Sequence, residues 1–153
     1  MRLVRYNVAA SLDGYVAGPH GGFDWIPDDP AVDFAGIFAK VDTVLLGRQS
    51  YEVALDMGAP AWTPDTRVFV FSSTLRPENH PAVTVVADHA VERVRALREE
   101  SGDGDIWLFG GGELFRTMLV GGQVDRVEVT IAPVLLGGGT PLLAPERRRP
   151  SSR

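Results

Sequence analysis

Cysteine is absent from the 153 residues, which excludes disulfides, thiolate metal sites and a cysteine nucleophile. Histidine is scarce. His20, His80 and His89 are scattered without ligand spacing, so no metal site is expected. No run of about 18 apolar residues occurs, so nothing is expected to span a membrane. The N-terminus enters a strand-like segment at once and lacks the apolar core of a signal peptide, which makes the cytoplasm the default expectation. Basic residues are in deficit. Fifteen Lys and Arg against twenty Asp and Glu give a formal net charge of -5, which argues against nucleic acid as a partner. The distribution is uneven, because at the end Arg147, Arg148, Arg149 and Arg153 stand against Glu146 alone. Residues 145–153 are therefore expected to be a flexible, solvated tail on a single domain of residues 1–144.

Apolar residues are plentiful at 44%, enough for one sizeable core. The most informative stretch is Asp105-Ile106-Trp107-Leu108-Phe109-Gly110-Gly111-Gly112-Glu113-Leu114-Phe115. Four consecutive apolar residues predict a strand buried on both faces, hence a parallel or mixed sheet. Helix-forming residues from Glu113 to Val120 follow the glycines, and Gly121-Gly122 ends them. Strand, glycine turn and helix together aim backbone N–H groups and a helix dipole at a phosphate. A tight turn with no ligand explains the same residues equally well.

A second such turn follows Thr43-Val44-Leu45-Leu46, where Gly47-Arg48-Gln49-Ser50 begins a helix. In a parallel sheet both turns fall on the edge of the strand C-termini, where ligands bind. Arg67 to Phe71 predicts a third strand ending in Ser72-Ser73-Thr74, whose hydroxyls either bind phosphate oxygens or form a serine/threonine turn. Val83 to Val86 predicts a fourth strand, with Asp88 capping a helix through Glu100 whose buried face is Val91, Val94 and Leu97. Near the start, Leu3 to Ala10 has strand character and ends in small residues, which pack under a helix or leave room for a flat ligand. A long loop containing Asp13, Gly14 and Trp25 follows, and loops of that length are usually functional. Asp13 is a turn residue bonding its own backbone or a carboxylate facing a substrate. Asp29 and Pro30 start a helix with Phe34, Ile37, Phe38 and Val41 as its apolar stripe. Asp125 to Ile131 alternates polar and apolar residues, as in a half-exposed strand near a sheet edge. A glycine-rich loop from Ala132 to Leu143 ends the hydrophobic pattern. Alternating strands and helices predict an α/β fold with a largely parallel sheet. No Gly-x-Gly-x-x-Gly opens the first unit, which disfavours the doubly wound dinucleotide fold.

Four stretches occur in a characteristic order: Ser11-Leu12-Asp13-Gly14-Tyr15-Val16-Ala17-Gly18, Leu46-Gly47-Arg48-Gln49-Ser50-Tyr51-Glu52, Phe109-Gly110-Gly111-Gly112-Glu113-Leu114, and Val124-Asp125-Arg126 with Pro133-Val134-Leu135-Leu136-Gly137-Gly138-Gly139. Over residues 1–143 the chain resembles the reductase domain of riboflavin biosynthesis, the C-terminal domain of the bifunctional deaminase-reductase, within the dihydrofolate-reductase-like superfamily. The resemblance implies a three-layer α/β fold, with a mixed, mostly parallel central sheet of eight strands flanked by helices. It implies NADPH along the strand C-terminal ends. By position, Val8, Ala9 and Ala10 would line the nicotinamide, and Gly47, Arg48, Gln49 and Ser50 would meet phosphates. Ser72 and Ser73 would approach the 2′-phosphate, and Gly110, Gly111, Gly112, Glu113 and Leu114 the pyrophosphate. Asp13 is the implied catalytic residue, beside nicotinamide and substrate, with Trp25, Asp29 and Asp33 as further substrate contacts.

Two departures stand out. Dihydrofolate reductases proper carry an acidic residue in the helix after the first loop; Asp29 and Asp33 both lie near that place and neither aligns cleanly. Family members also continue past the glycine loop into further strands, so a C-terminally truncated sheet is expected here. The implied activity is hydride transfer from NADPH to a C=N or C=O of a small heterocyclic or sugar-derived substrate, as in 5-amino-6-(5-phosphoribosylamino)uracil reductase. A dihydrofolate reductase and a non-catalytic NADP-binding protein are the rival expectations. The exposed outer strand implies a homodimer.

Overall fold

A strand that is apolar on both faces is stable only in the middle of a sheet covered on both sides, and Ile106 to Phe109 sits there. The computed structural model describes residues 1–19, 39–56 and 65–146. In chain order the described elements are β1 (Val4–Ser11), β2 (Tyr15–Ala17), β3 (Val41–Gly47), α1 (Arg48–Asp56) and β4 (Arg67–Phe71). There follow a 3-10 turn (Pro77–Asn79), β5 (Thr84–Val86), α2 (Ala90–Glu99), β6 (Asp105–Gly110), α3 (Gly112–Val120), β7 (Arg126–Ala132) and β8 (Thr140–Pro141). Six strands form one sheet in the order β5-β4-β3-β6-β1-β7, and every pairing in it is parallel. The antiparallel component is a separate ribbon of β2 with β8.

The helices cover both faces. On one side Tyr6, Leu45, Ile106 and Leu108 pack with Val94 and Leu97 of α2 and with Phe115 and Met118 of α3. On the other, Val44, Leu46, Val70 and Trp107 pack with Tyr51 of α1. Burying each such side chain contributes about 1.5–3 kcal/mol before the entropy cost. Tyr6 stacks on Phe115 with ring centroids 3.8 Å apart, and burial pushes its hydroxyl up to about 12.

The strand N-termini are fastened by ion pairs. Arg5 joins Asp105 at 3.2 Å and Glu128 at 2.7 Å, Arg98 joins Asp125 at 2.8 Å, and the buried Arg2 binds Asp42 and Thr43. With those charges paired, this edge is structural. An open cleft of about 630 Å³ here, lined by Arg2, Arg98, Glu100 and Asp105 among others, has its arginines already partnered.

Three sequence expectations change: among the described residues the central sheet has six parallel strands and not eight in mixed order, because β2 and β8 pair only with each other. The residue before α2 is His89, in the left-handed region at φ 52°, and no side chain caps the helix, so Asp88 is not the cap. The loop after β1 contains a short strand, β2, which two- and three-residue pairing made invisible to periodicity. The helix expected from Asp29 onward lies almost wholly outside the described residues, as do Trp25, Asp29 and Asp33.

Candidate functional site at the strand C-terminal edge

Parallel pairing carries every strand C-terminus to one edge. Along it stand, in spatial order, Ser72–Thr74 after β4, Gly47–Ser50 after β3, Gly110–Gly112 after β6, and Val8–Asp13 at the end of β1. Three inter-strand spacings of about 4.8 Å make this an array about 14 Å long.

The two helix-opening turns touch. A Cβ on Gly47 would lie 3.5 Å from the Gly111 nitrogen, and one on Gly111 would lie 3.5 Å from Ser50 Oγ. Both turns open helices, and the first turn of a helix leaves N–H groups without intrahelical partners. Gly111 is the N-cap of α3 and supplies no side chain to satisfy them.

The three glycines have different reasons to be glycine. Gly110 has φ 136°, which other residues rarely adopt. Gly112 is packed against the chain, since a Cβ there would meet the Pro141 carbonyl at 3.0 Å and the Ala144 nitrogen at 3.1 Å. Gly111 has an ordinary φ of -89° and only the Ser50 hydroxyl near it. Neither φ nor packing demands glycine at 111. A side chain there would instead fill the space in front of the helix terminus, which is the property a phosphate cradle requires.

Leu114 is buried in the core, so only its backbone can face a ligand, and Glu113 is exposed. Arg48 bridges α1 to the neighbouring turn, pairing with Glu52 at 2.9 Å and donating to the Thr74 hydroxyl. Ser72 Oγ accepts from the Thr74 and Leu75 nitrogens at 3.2 and 3.0 Å, so the serine/threonine turn is formed. It sets the Thr74 hydroxyl, itself bonded to that of Ser72, against Arg48. Gln49 is exposed next to it, and Ser50 is half-buried.

At the other end of the array Val8 and Ala9 are half-buried and Ala10 is 2% exposed. Asp13 lies just beyond, at the surface. Its Oδ1 accepts from Ser11 Oγ at 2.6 Å and from the Leu136 nitrogen at 3.1 Å, and its Oδ2 accepts from the Gly137 nitrogen at 2.8 Å. These bonds, Ser11's first, hold the carboxyl down at about 2. Asp13 is therefore an ionised acceptor near neutral pH. The sequence offered no signal for its partners, 123 and 124 residues away. Among the described residues no cluster of His, Asp and Glu could hold a metal ion, and no helix is long and apolar enough to cross a membrane.

A parallel α/β sheet with glycine turns and helix N-termini gathered on one edge is the arrangement in which open α/β folds bind ligands. The family model of the RibD C-terminal domain matches residues 2–150, and the chain belongs to that family. It is 32% identical over 159 residues to the uncharacterised protein YyaP of Bacillus subtilis, covering 97% of this chain and 84% of YyaP. It is 30% identical over 149 residues to the riboflavin biosynthesis protein RibD of Mycobacterium tuberculosis, covering 88% of this chain but 43% of RibD. Among solved structures, a Shewanella sp. PV-4 protein assigned to riboflavin biosynthesis superposes with a TM-score of 0.79 at 28% identity, covering 97% of this chain and 86% of the other. Dihydrofolate reductase of Enterococcus faecalis complexed with NADP(H) matches in fold, with a TM-score of 0.67 at 20% identity over 94% of this chain and 77% of that one.

Proposed function

We propose that the protein is an NADPH-dependent reductase acting on a C=N or C=O group of a small heterocyclic or sugar-derived substrate, similar to 5-amino-6-(5-phosphoribosylamino)uracil reductase. The observation that carries this is Gly111, a glycine that neither φ nor packing requires, at the N-terminus of α3 and in contact with the α1 turn. Family membership and the NADP(H) complex of a protein with the same fold support the identity of the ligand.

The cofactor fits the residues present. Backbone N–H groups of Gly110 through Leu114, and those from Gly47 to Ser50, would hold its phosphates. Arg48, which pairs with Glu52 in the free protein, would with Ser72 and Ser73 receive the 2′-phosphate, and the Ser72–Thr74 turn carries no acidic residue that would favour a free 2′-hydroxyl. The small residues at 8–10 leave a flat surface for the nicotinamide, and bound NADPH supplies the hydride. Asp13 keeps one Oδ2 lone pair that can accept from a substrate N–H or O–H. A carboxyl held near 2 carries no proton at neutral pH, so Asp13 orients rather than protonates. Trp25, Asp29 and Asp33 remain the proposed further substrate contacts, and the cytoplasm the proposed location.

A thermal-shift screen with NADPH, NADH, pterins and ribityl compounds, followed by the absorbance decay of NADPH, tests this. NADPH stabilisation with oxidation on a ribityl or aminouracil compound is expected. Turnover of dihydrofolate would make the protein a dihydrofolate reductase, and binding without turnover of any imine or carbonyl would make it a nucleotide-binding protein.

The assembly proposed is a homodimer. Val127, Val129 and Ile131 share one face of β7 and are 49%, 36% and 59% exposed. Among the described residues no strand pairs with the outer edge of β7. A two-fold axis through Val129 would set Val127 beside Ile131 of a second copy, covering the edge and bringing the apolar side chains together across it.

A further inference from the structure

The glycine loop before β8 and the residues after it run from the β1 end of the candidate site to the neighbouring turn that opens α3. At the β1 end, the Leu12 nitrogen donates to the Val134 carbonyl at 2.8 Å, and the Leu142 nitrogen donates to the Gly14 carbonyl at 2.9 Å. Asp13 sits between those two bonds and takes the Leu136 and Gly137 nitrogens on its carboxylate. Ser11 completes the turn, donating to Asp13 and accepting from the Tyr15 nitrogen at 2.9 Å. Gly139, at φ 131°, lies so close to the Ala17 carbonyl that no side chain would fit.

Beyond Leu142 the same segment passes from β1 to α3. The Tyr6 hydroxyl donates to the Leu142 carbonyl at 3.0 Å, and Arg116 donates to the Ala144 carbonyl at 3.2 Å. The Ala144 nitrogen donates to the Gly112 carbonyl at 3.4 Å. Gly112 is glycine because Pro141 and Ala144 press on it. Residues 134–144 thus form a strap, fastened to the β1–β2 turn at one end and to the first turn of α3 at the other. Asp13 is the one charged side chain among these fastenings at the β1 end.

We propose that Asp13 is a positioning residue whose carboxylate fixes the strap of residues 134–144, and through the strap the Gly111–Gly112 turn that receives the dinucleotide phosphates. The inference rests on the cofactor reading above and goes beyond it. It gives Asp13 an effect on nucleotide binding at a turn it does not touch. Binding to a site that must first be ordered is weaker than binding to one held ready, and an anchor of the strap removes that ordering cost. Both carboxylate oxygens are engaged, which is the arrangement of an anchor and not of a proton carrier.

The test compares wild type, Asp13→Ala and Asp13→Asn by amide hydrogen exchange across residues 134–144 and by NADPH titration calorimetry. Asp13 is exposed, so neither variant leaves a cavity. Asp13→Ala is expected to lose protection through the strap and to weaken NADPH binding by about tenfold, the usual size of a coupling between two sites. Asp13→Asn, which keeps one acceptor oxygen, is expected to fall between. Unchanged exchange in 134–144 overturns the proposal, and so does faster exchange with wild-type NADPH affinity. A wild-type protein that binds no NADPH refutes the cofactor assignment together with the coupling. Wild-type binding with unchanged variant affinities refutes the coupling alone.

Discussion

Gly111→Val separates the demands of the fold from those of a ligand. In the unliganded protein the added Cβ meets only Ser50 Oγ, at 3.5 Å, an ordinary contact. The residue has φ -89° and ψ -159°, an extended conformation that β-branched residues favour. From φ and packing alone, the change in folding stability is about 1 kcal/mol or less. Binding should suffer far more. If the side chain displaces the pyrophosphate from two backbone donors, each charge-assisted bond is worth about 1.5–3 kcal/mol. Their joint loss of about 3–6 kcal/mol is a weakening of roughly 10²- to 10⁴-fold. Thermal melting reads the first quantity and calorimetry with NADPH the second. Wild-type NADPH affinity in a folded variant would show that the phosphates lie elsewhere. An unfolded variant would show that glycine at 111 serves the fold, and would remove the observation on which the cofactor assignment stands.

Arg48→Ala should narrow the preference for NADPH over NADH by about tenfold at moderate salt, since one charge-assisted bond to the 2′-phosphate is lost; equal affinities of the wild type for both cofactors would contradict the assignment of Ser72 and Ser73. Light scattering at micromolar concentration should give a dimer mass, and a clean monomer would remove the pairing proposed for β7. Acid stability should depend on Asp13. Its carboxyl falls from 3.8 to about 2 on folding, so its contribution is whole above 3.8 and is lost as pH drops toward 2. Asp13→Asn should flatten that part of an acid-unfolding curve followed by circular dichroism, and an unchanged curve would mean that the three bonds to the carboxylate are not kept in solution.

Much of the sheet was legible because its strands carry long-range burial in a local pattern. Ile106 to Phe109 is apolar on both faces and proved central, whereas Arg126 to Ala132 alternates and proved to be an edge. Glycines after β3 and β6 marked the helix-opening turns at Arg48 and Gly112. What stayed hidden depends on contacts between distant residues. The ribbon of β2 and β8 is too short for a period, and its pairing is fixed by Gly139 fitting against Ala17. Asp88 has the side chain of a cap, yet His89 occupies the cap position. The most consequential case is Asp13, whose residue type offers a turn former or an acid. Only the placement of the 134–144 segment, more than a hundred residues away, turns that carboxylate into an anchor.

The most direct test is titration of the wild-type protein with NADPH in a calorimeter, with NADH as the comparison. A saturable one-to-one isotherm, tighter for NADPH than for NADH, is predicted from Gly111, Arg48 and the two helix N-termini that face one edge. No saturable heat with millimolar NADPH would contradict the account, because the array along the strand C-termini would then have no dinucleotide to hold.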